Sequence, residues 1–166
     1  MLILETERLT LREFKASDAA FIVVLLNTPT WIRFIGDRGI RNVYDASLYL
    51  QNGPIKSYQV NGFGLWLVSL KEKNRPIGMC GIIRREELDH PDIGFALLPE
   101  FAGQGYGFEI ASATMSYAKH YLQLDKIVGI TTPDNEYSIK LLQKLGVKFE
   151  KHIKLPAQEE TLMLFS

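Results

Sequence analysis

The sequence is poor in cysteine, with Cys80 alone among 166 residues, so no disulfide can close within the chain. It also lacks an excess of either charge. Nineteen Lys and Arg balance nineteen Asp and Glu, and nothing in that balance draws in a polyanion such as DNA or RNA. No apolar run is long and charge-free enough to cross a bilayer, and the opening residues lack the basic and apolar regions of a signal peptide. The histidines, His90, His120 and His152, are scattered without metal-ligand spacing, so no metal is expected. No segment repeats and none is of low complexity. These absences point to a cytoplasmic protein with no nucleic-acid, membrane or metal partner. Cys80, inside an apolar run, reads as a small core residue rather than a nucleophile.

What is present is a core-forming composition. Apolar residues make up 46% of the chain. A domain of about 150 residues buries roughly 70% of its unfolded surface, so residues 1–166 suit a single domain. Glycine, sparse elsewhere, gathers in one stretch, Pro99-Glu100-Phe101-Ala102-Gly103-Gln104-Gly105-Tyr106-Gly107-Phe108. Alternating glycines let the backbone turn several amide N–H groups into one concavity, and a helix N-terminus behind them adds partial positive charge. Such a loop is either an anion cradle suited to a phosphate or pyrophosphate, or a turn that binds nothing. It is not a P-loop, because Phe108 and Glu109 follow Gly107 where Lys and Ser/Thr are needed. Nor is it a G-x-G-x-x-G dinucleotide fingerprint, since Ile110 stands at the last place.

Periodicity places the elements around this loop. Leu9 and Leu11 alternate with Thr10 and Arg12 as a strand ending near Phe14, and Ser17-Asp18 caps a helix running to about Leu26. Pro29 opens a short helix through Trp31 and Phe34, and a helix over Val43 to Leu50 is expected to stop at Gly53-Pro54. Gly64 to Leu70, Pro76 to Arg84 and Asp92 to Leu98 are β-rich; Lys71 to Arg75 is a hairpin connection and Arg85 to Pro91 a solvated loop. After the glycine loop come a helix to about Tyr121, a strand Lys126 to Thr131, and a helix from near Asn135 to Gly146. Val147 to Leu155 and Glu160 to Phe165 form a terminal antiparallel pair. Strand, loop, helix and strand in that order make a βαβ unit, and the expected fold class is α/β.

Two blocks carry a family resemblance. Ala102-Gly103-Gln104-Gly105-Tyr106-Gly107 resembles the acetyl-CoA pyrophosphate loop of the GNAT superfamily of N-acetyltransferases, Gln/Arg-x-x-Gly-x-Gly/Ala, with Ala102 in the first place. Asp92-Ile93-Gly94-Phe95-Ala96-Leu97-Leu98-Pro99 leads into it as in the branch that contains the ribosomal-protein N-terminal (alanine and serine) acetyltransferases. Pro133-Asp134-Asn135-Glu136-Tyr137-Ser138 is similar to that branch's Pro-x-Asn-x-x-Ser block, and Leu4 to Arg12 to its opening. The resemblance implies a GNAT fold, a mixed, twisted, mostly antiparallel sheet with splayed central strands flanked by helices, and acetyl-CoA as donor with CoA as product. It also implies direct transfer to a primary amine with no covalent acetyl-enzyme.

The resemblance assigns the site residue by residue. Phe95, Ala96 and Leu97 would bond the pantetheine arm through their main chain, and Ala102, Gly103, Gln104, Gly105, Tyr106, Gly107 and Phe108 would cradle the diphosphate. Asn135 would bond the arm or simply cap its helix. Many GNAT enzymes place an acid tyrosine where this chain has Leu142, so Ser138 is the candidate partner of the thiolate and Tyr137 the runner-up. Asp92 is the candidate base, or a structural carboxylate at a strand end; Glu13, Glu87 and a water chain are alternatives. Trp31, Phe34 and Tyr44 would form the acceptor wall, or ordinary helix packing. The acceptor implied is a protein N-terminal α-amine, with a small-molecule amine as the alternative. The protein is expected to act as a monomer or homodimer. A non-catalytic acyl-CoA sensor of the same fold is the other class that Ala102 and Leu142 leave open.

Overall fold

Two antiparallel sheets meet at one point in the computed structural model, which describes residues 1–166. The first holds β1 (Leu2–Glu5), β2 (Leu9–Arg12), β3 (Leu65–Leu70), β4 (Arg75–Ile83) and β5 (Asp92–Leu97) in chain order. The period-two pattern of β2 sends Leu9 and Leu11 fully into the core and leaves Thr10 and Arg12 half-buried. β1 is an edge strand with no alternation strong enough to be read in advance; its pairing with β2 (Leu4 opposite Leu11) creates it.

The second sheet is β6 (Gly129–Thr131), β8 (Leu162–Phe165) and β7 (Phe149–Ile153), with β8 in the middle. The expected strand from Lys126 is thus shorter, because Val128 makes only a bridge, parallel to Asp92. There the Ile93 N–H donates to Val128 O and the Val128 N–H to Pro91 O, each at 2.9 Å. Beyond that bridge β5 and β6 part company. The expected terminal pair is present as β7 and β8, with His152 opposite Met163.

Six α-helices cover these sheets: α1 (Ala19–Leu26), α2 (Pro29–Phe34), α3 (Val43–Leu50), α4 (Lys56–Asn61), α5 (Tyr106–His120) and α6 (Glu136–Lys144). α5 buries Ile110, Ala111, Thr114 and Ala118 in the core, and α6 buries Leu141 and Leu142. Asp18 does not cap α1 as expected. Its carboxylate is turned back to accept from Arg12 Nη1 and Nη2 at 2.9 and 2.8 Å and from the Lys15 N–H at 2.9 Å.

The stop expected at Gly53-Pro54 is also corrected. α3 runs through one wide π-helical turn, Gln51–Ile55, into α4, and the chain breaks only at Gly62, which is left-handed at φ +79°. Proline removes an N–H and crowds the carbonyl one turn back, and a turn widened by a residue absorbs both effects.

Candidate active site

The parting of β5 and β6 leaves a cavity of about 380 Å³ that runs along β5. Because Ile93 donates toward β6, strand alternation turns the main-chain groups of Phe95 and Leu97 into the gap as well. Ala96 differs from its expected role. Its carbonyl faces β4, where a Cβ added to Gly78 would come within 2.2 Å of it, so Ala96 offers the cavity only its side chain. The gap therefore presents an unpaired strand edge to whatever enters it.

At the C-terminal end of β5 the chain makes a tight turn, Pro99–Phe101, then bends at Gly103 (φ +76°) and Gly105 (φ +83°) into α5. Both glycines hold left-handed backbone that a side chain would strain. The first amide with a backbone acceptor is that of Glu109, to Gly105 O at 3.1 Å, so the N–H groups of Tyr106, Gly107 and Phe108 have no partner in the helix ladder. Gly105 has no capping side chain to compete for them. Ala102 and Gly107 line the cavity, while Gly103, Gln104 and Gly105 are exposed. The side chain of Gln104 bonds Glu100 O at 3.1 Å, and the Phe108 ring lies under Lys144 Nζ at 4.5 Å.

A clamp that the sequence did not reveal holds this loop from the turn between β1 and β2. Arg8 donates through Nη1 to Gln104 O at 3.1 Å and through Nε to Glu109 Oε1 at 2.7 Å, and its guanidinium covers the Tyr106 ring at 4.2 Å. Thr6 Oγ1 and the Arg8 N–H both donate to Glu109 Oε2, at 2.6 and 3.0 Å. These residues lie about a hundred positions apart, so no local pattern joins them.

Across the gap stands the start of α6. Asn135 Oδ1 accepts from the Ser138 N–H at 3.1 Å, which is helix capping. Ser138 is buried, its hydroxyl makes no hydrogen bond, and it lines the cavity. Tyr137, expected to face elsewhere, lines it too: its hydroxyl lies over Gly107, 2.0 Å from where a Cβ would stand. Leu142 packs instead on Gly129, where a Cβ would fall 2.4 Å from its Cδ2.

The other end of β5 is charged. Asp92 is 1% exposed, and its Oδ1 accepts from Arg85 Nε at 3.0 Å. Burial pushes its carboxyl up to about 6, against the pull of Arg85. Neither Glu13 nor Glu87 lines the cavity. Arg85 belongs to the stretch read as a solvated loop; it instead folds back onto Asp92. Trp31 and Phe34 line the cavity from α2, but Tyr44 does not: it is 71% exposed on the outer face of α3. Five residues on, the turn of the same helix brings Tyr49 to the wall in its place, beside Arg38.

Two buried polar atoms in lining residues have no partner, Trp31 Nε1 and Thr132 Oγ1. Thr132 Oγ1, the three free amides and the open strand edge fit a long ligand with a diphosphate at one end and amide groups along its arm.

Comparison with known proteins bears on that ligand. Residues 8–148 match the family described as the acetyltransferase (GNAT) domain. The chain is 28% identical over 149 residues to the uncharacterized N-acetyltransferase YoaA of Bacillus subtilis, covering 89% of this chain and 84% of that one. Among solved structures it is similar to RimL, the ribosomal L7/L12 α-N-protein acetyltransferase in complex with coenzyme A, at TM-score 0.84 and 17% identity, over 99% of this chain and 96% of that one. It is also similar to a ribosomal-protein-S5-alanine acetyltransferase from Vibrio fischeri, at TM-score 0.80 and 21% identity, over 99% and 94%.

Proposed function

The chain belongs to the GNAT acetyltransferase family, as an acetyl-CoA-dependent N-acetyltransferase, and from that premise we propose that residues 1–166 act as one domain that acetylates protein N-terminal α-amines. One observation carries the reading: the open edge of β5 joins a loop of free amides at one end to a buried carboxylate at the other. Acetyl-CoA supplies an acyl carbon activated as a thioester, with a thiol as leaving group. The amides of Tyr106, Gly107 and Phe108 are the donors for its diphosphate. The main chain of Phe95 and Leu97 is the edge for its arm, with Asn135 and Thr132 opposite.

Ser138 has a free hydroxyl to donate to the departing sulfur, a modest task for a thiol whose pKa is about 8.5. Tyr137 is the second donor within the same wall. Asp92, with its carboxyl at about 6, is ionised at neutral pH and can take the proton of an incoming ammonium directly or through water. An α-amine, with a pKa near 8, gives up that proton more readily than a lysine near 10.4, and this favours an N-terminus as acceptor. Trp31 and Phe34 form the apolar wall beside it.

The test is release of CoA thiol with peptides bearing a free N-terminus, the same peptides blocked at that end but carrying lysine, and simple amines, with mass spectrometry to locate the acetyl group. The α-amine peptides should turn over fastest. Preference for lysine or simple amines overturns the N-terminal reading, and tight binding of acetyl-CoA with no turnover on any amine makes the protein a sensor.

A further inference from the structure

We propose that the acceptor carries a carboxylate within a few bonds of its amine, and that Arg38 and Arg85 bind that carboxylate at the Asp92 end of the cavity. The inference rests on the acetyltransferase reading of the site and names the chemistry of its acceptor.

Only three full charges line the cavity: Arg38, Arg85 and Asp92. Asp92 is matched by Arg85 through Nε, which leaves the two terminal nitrogens of Arg85 without a hydrogen bond. The Arg38 side chain makes neither an ion pair nor a hydrogen bond, because the acid next to it, Asp37, is held by Arg41 Nη2 and by the Gly39 N–H. One guanidinium is therefore unmatched, and the wall carries a net positive charge. Both arginines lie close enough to Tyr49, a lining residue, for their charge to act on its phenol. The Trp31 indole N–H adds a buried donor with no acceptor.

A bare ammonium ion approaching this wall meets repulsion from two guanidinium groups and attraction from one carboxylate already in use. An amine that brings its own carboxylate reverses that balance. The planar fork of a guanidinium matches a carboxylate with two parallel hydrogen bonds, and here both forks have donors to spare. Free α-amino acids and peptides whose first residue is Asp or Glu share this chemistry. Polyamines and peptides with basic first residues lack it.

Acceptors are compared in pairs that differ only in the carboxylate: free Ala and Ser against their α-amides, and peptides beginning with Glu or Asp against those beginning with Gln or Asn. The carboxylate member should have the higher kcat/KM, by about tenfold to a hundredfold as for a charge-assisted pair. Arg38→Gln should bring that ratio close to one. The first set of pairs points to a free amino acid and the second to an acidic N-terminus.

Calorimetric binding of the same compounds to the CoA-loaded protein gives a second readout, independent of turnover. If no amine of any kind is acetylated, the catalytic reading falls, and the carboxylate preference still stands or falls on binding. Equal use or binding of the amides in both sets, or a preference that survives in Arg38→Gln, overturns the proposal. Arg38 is exposed and its side chain makes no hydrogen bond or ion pair, so the substitution leaves the fold in place.

Discussion

The two ends of the cavity are built on different principles. At the loop end the groups left free are main chain: amides of Tyr106 to Phe108 and the open edge of β5 at Phe95 and Leu97, fixed by the fold itself. At the far end, about 17 Å away at the usual strand rise, they are side chains: Asp92, Arg85, Arg38, Tyr49 and Trp31, drawn from five separate stretches of sequence. A main-chain site tolerates almost any residue that keeps the backbone path. A side-chain site changes with each substitution, so it is the end where one fold can be turned to different amines.

The comparison is broken most severely at Asp92. Asp92→Asn keeps shape but removes the proposed base, and kcat should fall by about a hundredfold or more, with acetyl-CoA binding unchanged. The wild-type kcat/KM should rise with pH through a limb near 6, and this limb should vanish in the variant. Stability moves the opposite way. The folded carboxyl, at about 6, lies above its ordinary 3.8, so its contribution is full below pH 3.8 and is lost as pH climbs to about 6. Denaturation from pH 4 to 8 should show the wild type losing on the order of 2 to 3 kcal/mol relative to the variant across that window. A pH-independent difference, or full activity in Asp92→Asn, would leave Asp92 a structural carboxylate.

Next in size is the main-chain end. Gly105→Val places a β-branched side chain at φ +83° and 3.3 Å from Arg8 Nη2, so the loop must leave its present path. At about 100 times its Kd a ligand adds about 2.7 kcal/mol of stability, which for a chain of this size raises Tm by roughly 5 to 10 °C. Wild type should show that rise with acetyl-CoA, and Gly105→Val should show almost none while still melting cooperatively. A normal rise in the variant would mean that the diphosphate is held elsewhere.

The same contrast explains what could be read from the sequence. Glycines 103 and 105 are visible because their left-handed backbone suits few other residues, Gly107 because a Cβ there would meet the Tyr137 hydroxyl, and the Asn135 to Ser138 block because it caps a helix in passing. The far end was misread for the corresponding reason. The resemblance put an aromatic of α3 on the acceptor wall but took Tyr44, where the helix turn presents Tyr49. Arg85 looked like one charge among many in a solvated loop. Only the path from β4 to β5, which places Ile83 opposite Asp92, folds it back onto that acid. The continuation of α3 past Pro54 was hidden because a wide turn absorbs a proline that otherwise ends a helix.

The smallest expected effect tests whether the main-chain end is as independent of side chains as its geometry suggests. Arg8 reaches Gln104 O, Glu109 and the Tyr106 ring from the turn just before β2, and through them ties the glycine loop to the first sheet. It contributes no group to the cavity wall, so its action on the cofactor runs through the loop. The side chain is 41% exposed, and solvent screens much of the ion pair, so Arg8→Ala should lower Tm by only a few degrees. The KM for acetyl-CoA should rise about threefold to tenfold, with kcat and the acceptor KM unchanged, since a looser loop holds its three amides less well aligned. Glu109→Gln should do less, because its one amide oxygen can still accept from Thr6 Oγ1 and the Arg8 N–H and only the bond from Arg8 Nε is lost. Equal losses in kcat and KM would mean that Arg8 supports the fold as a whole, and an unchanged KM would mean that backbone alone fixes the cradle.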